Sequence, residues 1–268
     1  VHDRDGNYKT SALEFETLTL LGANCGIASW EDVADLDRLC DEVGLDTVET
    51  GAAIAIYMDS GAMQYGDAEG AKRILQEIAD GTELGQAIGH GAVATGKKTG
   101  HSRVPVAKGQ ALPAWDPRPL KATGITYCTS PMGADHTAGL IVNPGLTPDQ
   151  FAWESQKAQI VNTVCDSSGF CQFLQPTMDD IREFYGALYG EDVSREAIHD
   201  QGWECLEDEW RFNAAAGFTE ADDVLSEPML KDPIGAAPTV FDVPVEIVRA
   251  ARQRMPAQED LFETKATG

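Results

Sequence analysis

The sequence predicts an all-α, multihelical chain arranged as two helical lobes. Three observations lead there. Apolar residues recur at helical spacing along most of the chain, and no run alternates convincingly with the two-residue period of a strand. Serine, threonine and aspartate stand where helices would begin, and glycine stands where they would end. A proline-rich, aperiodic stretch over 99–119, with Pro105, Pro113, Pro117 and Pro119, interrupts the pattern. It places a boundary near residue 110, giving expected domains of 1–110 and 111–268.

Residues 10–22 hold a short amphipathic stretch ending at Gly22. From Trp30 to Val43 the residues Val33, Leu36, Leu39, Cys40 and Val43 fall on one helical face, and Gly44 supplies a left-handed stop. Asp46, with Glu49 three residues on, reads as a capping-box variant opening a helix to about Ser60. That helix is smooth (Gly51, Ala52, Ala53, Ala55), which invites a close neighbour. Two further helices are expected over Asp67–Ala79 and Glu83–Thr95, the second weakened by Gly85, Gly89 and Gly91. Thr123–Gly139 is too irregular for a helix and is expected to be a loop or helix start that holds polar groups.

Beyond it, Thr147-Pro148-Asp149 opens a helix that runs to Val164, with proline in the tolerated first turn. Thr177 caps a helix to about Tyr189, and Ser194 caps another. In the latter, Ile198, Trp203, Leu206 and Trp210 form a core stripe that stops at Gly217. Four prolines between Glu227 and Pro244 predict an extended tail, followed by a last helix near Val245–Gln253.

The net charge of −24 opposes binding to nucleic acid or to an anionic membrane, whose phosphates it would repel. It fits a strongly solvated surface, and the scarcity of lysine also suits a salt-adapted source. No segment approaches the ~18 apolar residues that a membrane span requires. The polar start, Val1-His2-Asp3-Arg4-Asp5, is not a signal peptide, and without a methionine the chain is expected to be a fragment. Six cysteines, at 25, 40, 128, 165, 171 and 205, contain no C-x-x-C pair. They cannot by themselves complete a zinc or iron–sulfur site of the usual spacing. Buried thiols in a reducing, cytoplasmic compartment are expected, with Cys171 the exception to weigh.

No Walker loop, dinucleotide fingerprint, H-E-x-x-H or G-x-S-x-G is present. What stands out is a repeat. Asp41-Glu42-Val43-Gly44-Leu45-Asp46 and Asp166-Ser167-Ser168-Gly169-Phe170-Cys171 share the pattern D-x-x-G-x-(C/D), each closing a helix. An aspartate beside a glycine turn offers a rigid carboxylate to an amidine-like edge, and the glycine lets a flat ring approach the backbone. Two such hooks suggest one ligand with two similar halves. Each aspartate has a structural alternative, Asp46 as an N-cap and Asp166 as the cap of its own turn. Two other stretches are candidates for chemistry: Leu13-Glu14-Phe15-Glu16-Thr17 and Tyr127 to His136.

These residues together resemble the carboxy-terminal two domains of the tungsten-containing aldehyde:ferredoxin oxidoreductases. The ordered set runs through Leu13 to Thr17, Leu21-Gly22-Ala23-Asn24-Cys25-Gly26, the first hook, Tyr65-Gly66-Asp67-Ala68 and Pro113 to Arg118. It continues with Thr129 to His136, the second hook, Arg211-Phe212-Asn213 and Gly217-Phe218-Thr219. The resemblance implies a tungsten or molybdenum ion held by two pterins. It assigns Asp41, Gly44, Leu45 and Asp46 to one pterin and Asp166, Gly169 and Phe170 to the other. Cys171 matches one ligand of a 4Fe–4S cluster whose other three lie upstream of this chain. Glu16 and His136 match groups near the metal, where a carboxylate takes a proton from water and an imidazole bonds a carbonyl oxygen. Their structural alternatives are a solvated helix carboxylate and a loop histidine.

The implied activity is oxidation of aldehydes to carboxylic acids, with electrons passed to ferredoxin. The implied partners are an amino-terminal pterin-binding domain or subunit, an electron carrier and a small aldehyde, and a homodimer is left open. Met132 and Ala138 stand where basic residues are common in the family, and Pro119 replaces a frequent glycine. The rival readings are the tungsten subunit of an aryl-CoA reductase and a non-catalytic helical scaffold.

Overall fold

The computed structural model describes residues 1–267, which form thirteen α-helices and one short hairpin. The all-α expectation holds. Two compact units divide the described chain, Val1–Ala114 with Ser226–Pro228, and Trp115–Leu225 with the residues from Met229 onward.

In the first unit, α1 (Phe15–Thr17) runs into a π-helical turn, Leu18–Gly22, and a 3-10 turn, Ala23–Cys25. Then follow α2 (Trp30–Val43), α3 (Thr47–Asp59), α4 (Ala68–Ala79), α5 (Glu83–Gly89) and α6 (Gly91–Thr99). The strands β1 (Val106–Ala107) and β2 (Gln110–Ala111) form an antiparallel hairpin, with Val106 opposite Ala111. This hairpin lies within the stretch read as loop.

Helix α3 is the axis of this unit. Its residues from Thr50 to Ile56 are all buried, and it packs against α6, α5 and the π-helical turn. Its small residues explain how. A Cβ on Gly51 would lie 2.6 Å from the carbonyl carbon of Leu20, so only glycine admits the turn that close. Asp46 caps the helix, its Oδ2 accepting from the Glu49 amide at 2.6 Å. Glu49 does not complete a capping box. Its carboxylate instead accepts the amides of Ala92 at 2.7 Å and Ala111 at 2.8 Å, tying α6 and the hairpin to the first turn of α3. The single helix expected over 83–95 is therefore two. Gly91 breaks it at φ +88°, and a Cβ there would fall 2.4 Å from Glu49 Oε1. Ser226 returns to this unit, accepting from the Val106 amide through Oγ and donating its own amide to the Val106 carbonyl.

The second unit holds α7 (Lys121–Thr129), a 3-10 turn at His136–Ala138, α8 (Pro148–Ser167) and a 3-10 turn at Gln172–Leu174. It continues with α9 (Met178–Tyr189) and α10 (Arg195–Ala215). After α11 (Glu227–Lys231), which starts inside the stretch expected to be extended, come α12 (Val245–Ala250) and α13 (Glu259–Glu263). Helix α13 was not anticipated. Helix α8 is central and packs against α7, α9, α10 and α12.

Helix α7 corrects the expectation of an irregular segment. All residues from Ala122 to Thr129 are buried, so no apolar stripe shows in the sequence. Its hydroxyls are matched inside the interface with α8. Thr126 shares a hydrogen bond with Ser155 at 2.9 Å, and Gln159 donates to Thr129 at 3.0 Å. The polar face of α8 is thus a bonded seam rather than a solvent face. Gln156 extends it, donating to the carbonyls of Ala251 and Gln253 and accepting from the Met255 amide.

Glycine-to-alanine changes inside helices normally stabilise by about 1 kcal/mol. Gly51→Ala and Gly85→Ala are expected to do the reverse. At Gly85 the new Cβ would fall 1.9 Å from the Glu77 carbonyl oxygen. Overpacking of this kind costs about 1–3 kcal/mol, and urea denaturation should show lower midpoints for both. An unchanged or raised midpoint would contradict the packing described.

Candidate functional site

The two hooks have the same local geometry. In the first, the chain leaves α2 through Gly44 at φ +80°, and the Leu45 amide bonds back to the Cys40 carbonyl at 2.9 Å. In the second, it leaves α8 through Gly169 at φ +74°, and the Phe170 amide bonds back to the Cys165 carbonyl at 3.2 Å. The repeat therefore begins one residue earlier than the sequence reading took it. Cys40 and Cys165 are its first members, and aligning the two copies as C-D-x-x-G-x would have found them. Both thiols are buried; burial pushes Cys40 up to about 12 and Cys165 up to about 11. They are packing groups and not nucleophiles.

Each hook presents an open cradle. A Cβ at Gly44 or at Gly169 would meet nothing within 4 Å, so these glycines serve backbone conformation and leave space above it. Leu45 and Phe170 anchor the turns, packing against the cores of the first and second unit. Asp41 is exposed beside the first cradle. The copies differ in their last residue. Asp46 is an exposed cap of α3, whereas Cys171 is an exposed thiol at the start of the 3-10 turn Gln172–Leu174.

Asp166 is held differently from its counterpart Asp41. Burial pushes its carboxyl above the usual carboxylate range, with a small further push from Asp135, while a hydrogen bond from Gln172 opposes them. The donor is the Gln172 side-chain amide, 3.0 Å from Asp166 Oδ1. A small cavity adjoins this carboxylate, lined by Met132, Ala138, Asp166, Cys205, Leu206 and Glu209 among others. Glu209 is raised too, by burial and by the charge of Asp166.

His136 belongs to the second hook. Asp135 opens its 3-10 turn by accepting the Thr137 amide at 2.8 Å, and the His136 ring nitrogen Nδ1 lies 3.8 Å from the same carboxylate oxygen. The Thr137 carbonyl accepts from Asn162 of α8 at 2.8 Å and from Gln172 at 3.1 Å. Glu16 lies on α1, in the same unit as the first hook. It is buried at 8% exposure, and its Oε2 accepts the Ala114 amide at 2.8 Å, so it is not a solvated helix carboxylate. The neighbouring Thr17 hydroxyl shares a hydrogen bond of 2.9 Å with Thr47, the residue after Asp46. Each unit thus contains one hook and one candidate acid–base residue.

These features leave room for a planar nitrogen heterocycle at each hook. The fit rests on the two open cradles, each flanked by a carboxylate. Among the described residues no three histidine, cysteine, aspartate or glutamate side chains are grouped to hold a metal ion. Cys171 offers a single thiolate to an iron–sulfur cluster and needs its partners from elsewhere. Gly44→Ala and Gly169→Ala should each destabilise by about 1–2 kcal/mol through backbone strain alone, read as urea midpoints, since neither Cβ meets a neighbour. Asp166→Asn should raise the melting temperature of the ligand-free chain at neutral pH. A carboxyl whose folded pKa is raised binds its proton more tightly when folded, so it lowers stability once pH exceeds that value. A melting temperature lowered at pH 7 would contradict this.

Comparison with known proteins places the chain in a family. Residues 1–253 match the family model described as aldehyde ferredoxin oxidoreductase, domains 2 and 3. A tungsten-containing aldehyde ferredoxin oxidoreductase of Pyrococcus furiosus is 26% identical over 259 residues, 86% of this chain and 43% of the relative. That of Thermococcus kodakarensis is 28% identical over 258 residues, 85% of this chain and 43% of the relative. A Pyrococcus furiosus aliphatic sulfonate oxidoreductase, WOR-like subunit, is 28% identical over 219 residues, 72% of this chain and 34% of that subunit. The chain spans less than half the length of the curated relatives it matches. It belongs to the aldehyde ferredoxin oxidoreductase family, of which it comprises domains 2 and 3.

Proposed function

We propose that this chain is the catalytic half of a tungsten-containing, or molybdenum-containing, bis-pterin oxidoreductase that oxidises aldehydes to carboxylic acids. The single observation that supports this most is the pair of matched hooks, one in each unit. The domains over 1–110 and 111–268 then each serve one pterin. Cys171 would hold one iron of a 4Fe–4S cluster, which would supply electron transfer to ferredoxin or a similar carrier. An amino-terminal domain or subunit supplies the remaining pterin contacts and three cluster ligands.

In this reading the Asp41, Asp46 and Asp166 carboxylates hold the nitrogen edges of the two pterins, and Gly44 and Gly169 admit the rings to the backbone. When bound, the metal centre takes up the two electrons of the oxidation. Glu16 accepts the proton of the attacking water. Its burial supports a role inside an enclosed site and not at a solvated surface. His136 donates a hydrogen bond to the carbonyl oxygen, and its turn is held at two points by Asn162 and Gln172.

A second substrate class follows from the sulfonate oxidoreductase relative, and a third from aryl-CoA thioesters. Both are anionic. The cavity beside the second hook is lined by two carboxylates, Asp166 and Glu209, with no lysine or arginine among its lining residues. That charge disfavours an anionic group beside the second hook.

The test uses the intact polypeptide, purified anaerobically. It should contain tungsten or molybdenum and iron, and should reduce a low-potential dye with small neutral aldehydes. Glu16→Gln and His136→Asn should each lower kcat by about 100-fold or more with metal content unchanged. Cys171→Ser should lose iron and keep tungsten. Absence of both metals would sink the reading; turnover of aliphatic sulfonates or aryl-CoA esters but not aldehydes would replace it.

A further inference from the structure

One side chain connects the three parts of the second half-site. Gln172 directly follows Cys171, and its amide nitrogen donates to Asp166 Oδ1 at 3.0 Å and to the Thr137 carbonyl at 3.1 Å. The first bond reaches the hook carboxylate, and the second reaches the residue after His136. We propose that Gln172 is a positioning residue that fixes the Asp166 carboxylate and the His136 turn relative to each other, beside the Cys171 thiol. The proposal rests on the bis-pterin reading given above.

The geometry separates this role from general scaffolding. The His136 turn is already attached to the fold, because Asn162 donates to the same Thr137 carbonyl at 2.8 Å. Asn162 is itself fixed on α8 and accepts from the Thr267 amide at 3.0 Å. Losing Gln172 would leave Asn162 as the one side chain that donates to the Thr137 carbonyl. A single hydrogen bond fixes a distance, whereas two from different directions fix an orientation as well. Asp166 needs the same donor for a different reason. Its carboxylate lies at the exposed end of α8, and Gln172 is the side chain that donates to it. An amide supplies two N–H groups from one nitrogen, which suits one side chain to bridge two acceptors. A glutamate there would supply none and would add a second negative charge beside Asp166.

In the first half-site the counterpart is built otherwise. The residue at the matching position is Thr47, the first residue of α3, and its hydroxyl pairs with Thr17 beside Glu16. Both hooks therefore continue into a residue that reaches the candidate acid–base element of its own unit. This second occurrence is independent of the first and supports a shared purpose. The position immediately after each hook connects ligand anchoring to the acid–base group.

The experiment uses the intact, cofactor-loaded polypeptide carrying Gln172→Leu, Gln172→Glu, Asp166→Asn and the Gln172→Leu/Asp166→Asn double change. Gln172→Leu should keep the parental melting temperature within about 1 °C. It should lower kcat about tenfold, as loss of a hydrogen bond to a charged group does, while KM stays within about twofold, since Gln172 touches no substrate. Gln172→Glu should fall further and retain less pterin after gel filtration. In the Asp166→Asn background, Gln172→Leu should change kcat by less than in the parent, the signature of two coupled residues. Wild-type kcat and pterin retention in both single Gln172 variants would overturn the proposal. So would full additivity in the double change, or an equal loss of kcat and melting temperature, which marks a merely structural role. A parent polypeptide that holds no pterin would overturn the underlying reading and this proposal with it.

Discussion

Everything distinctive about this chain depends on how two helices end. At the close of α2 and of α8 the last carbonyls would go unsatisfied, and each chain end solves this by folding back on a buried cysteine. The fold-back needs one residue in the left-handed region, and glycine provides it without strain. The result is a rigid turn of fixed shape with a carboxylate on its outer side. Because the turn is set by main-chain bonds, its side-chain positions are free to diverge. That freedom lets one copy end in a helix cap and the other in an exposed thiol.

The two units solve the problem of a fully buried central helix in opposite ways. Helix α3 is made of small and aliphatic residues, so its neighbours approach to backbone contact. Helix α8 carries Ser155, Gln156, Gln159 and Asn162 inside the protein, each with hydrogen-bond partners on facing segments. The first arrangement depends on steric fit and the second on directional bonds. It is the second that reaches the candidate site, because Asn162 holds the turn that presents His136.

Much of the fold was legible where burial was one-sided. Helices α2, α9 and α10 show their stripes and caps in the sequence, and Ser29, Thr177 and Ser194 each cap as their residue types suggest. Helix α7 was not legible, since burial on every side erases periodicity and its threonines resemble a loop. The break at Gly91 was equally hidden. It depends on Glu49, and no local pattern announces a carboxylate that arrives from 42 residues earlier. The candidate residues were readable as a repeat and by resemblance. The segments that carry Glu16 and His136 are held by long-range bonds, Thr17 to Thr47 in one unit and Thr137 to Asn162 and Gln172 in the other. Those bonds carry no signature in a single sequence.

The return of Ser226 to the first unit makes that unit discontinuous along the chain. Its last piece, Ser226–Pro228, is separated from Ala114 by more than one hundred residues of the second unit. The backbone of β1 is therefore left without this neighbour until the ribosome has produced most of the second unit. The second unit is, in topological terms, an insertion into the first, and the two cannot be cut apart at the proline-rich segment without removing a piece of one of them. Evolutionary shuffling of a single hook as a self-contained module would meet the same obstacle, which binds the two half-sites into one inherited piece.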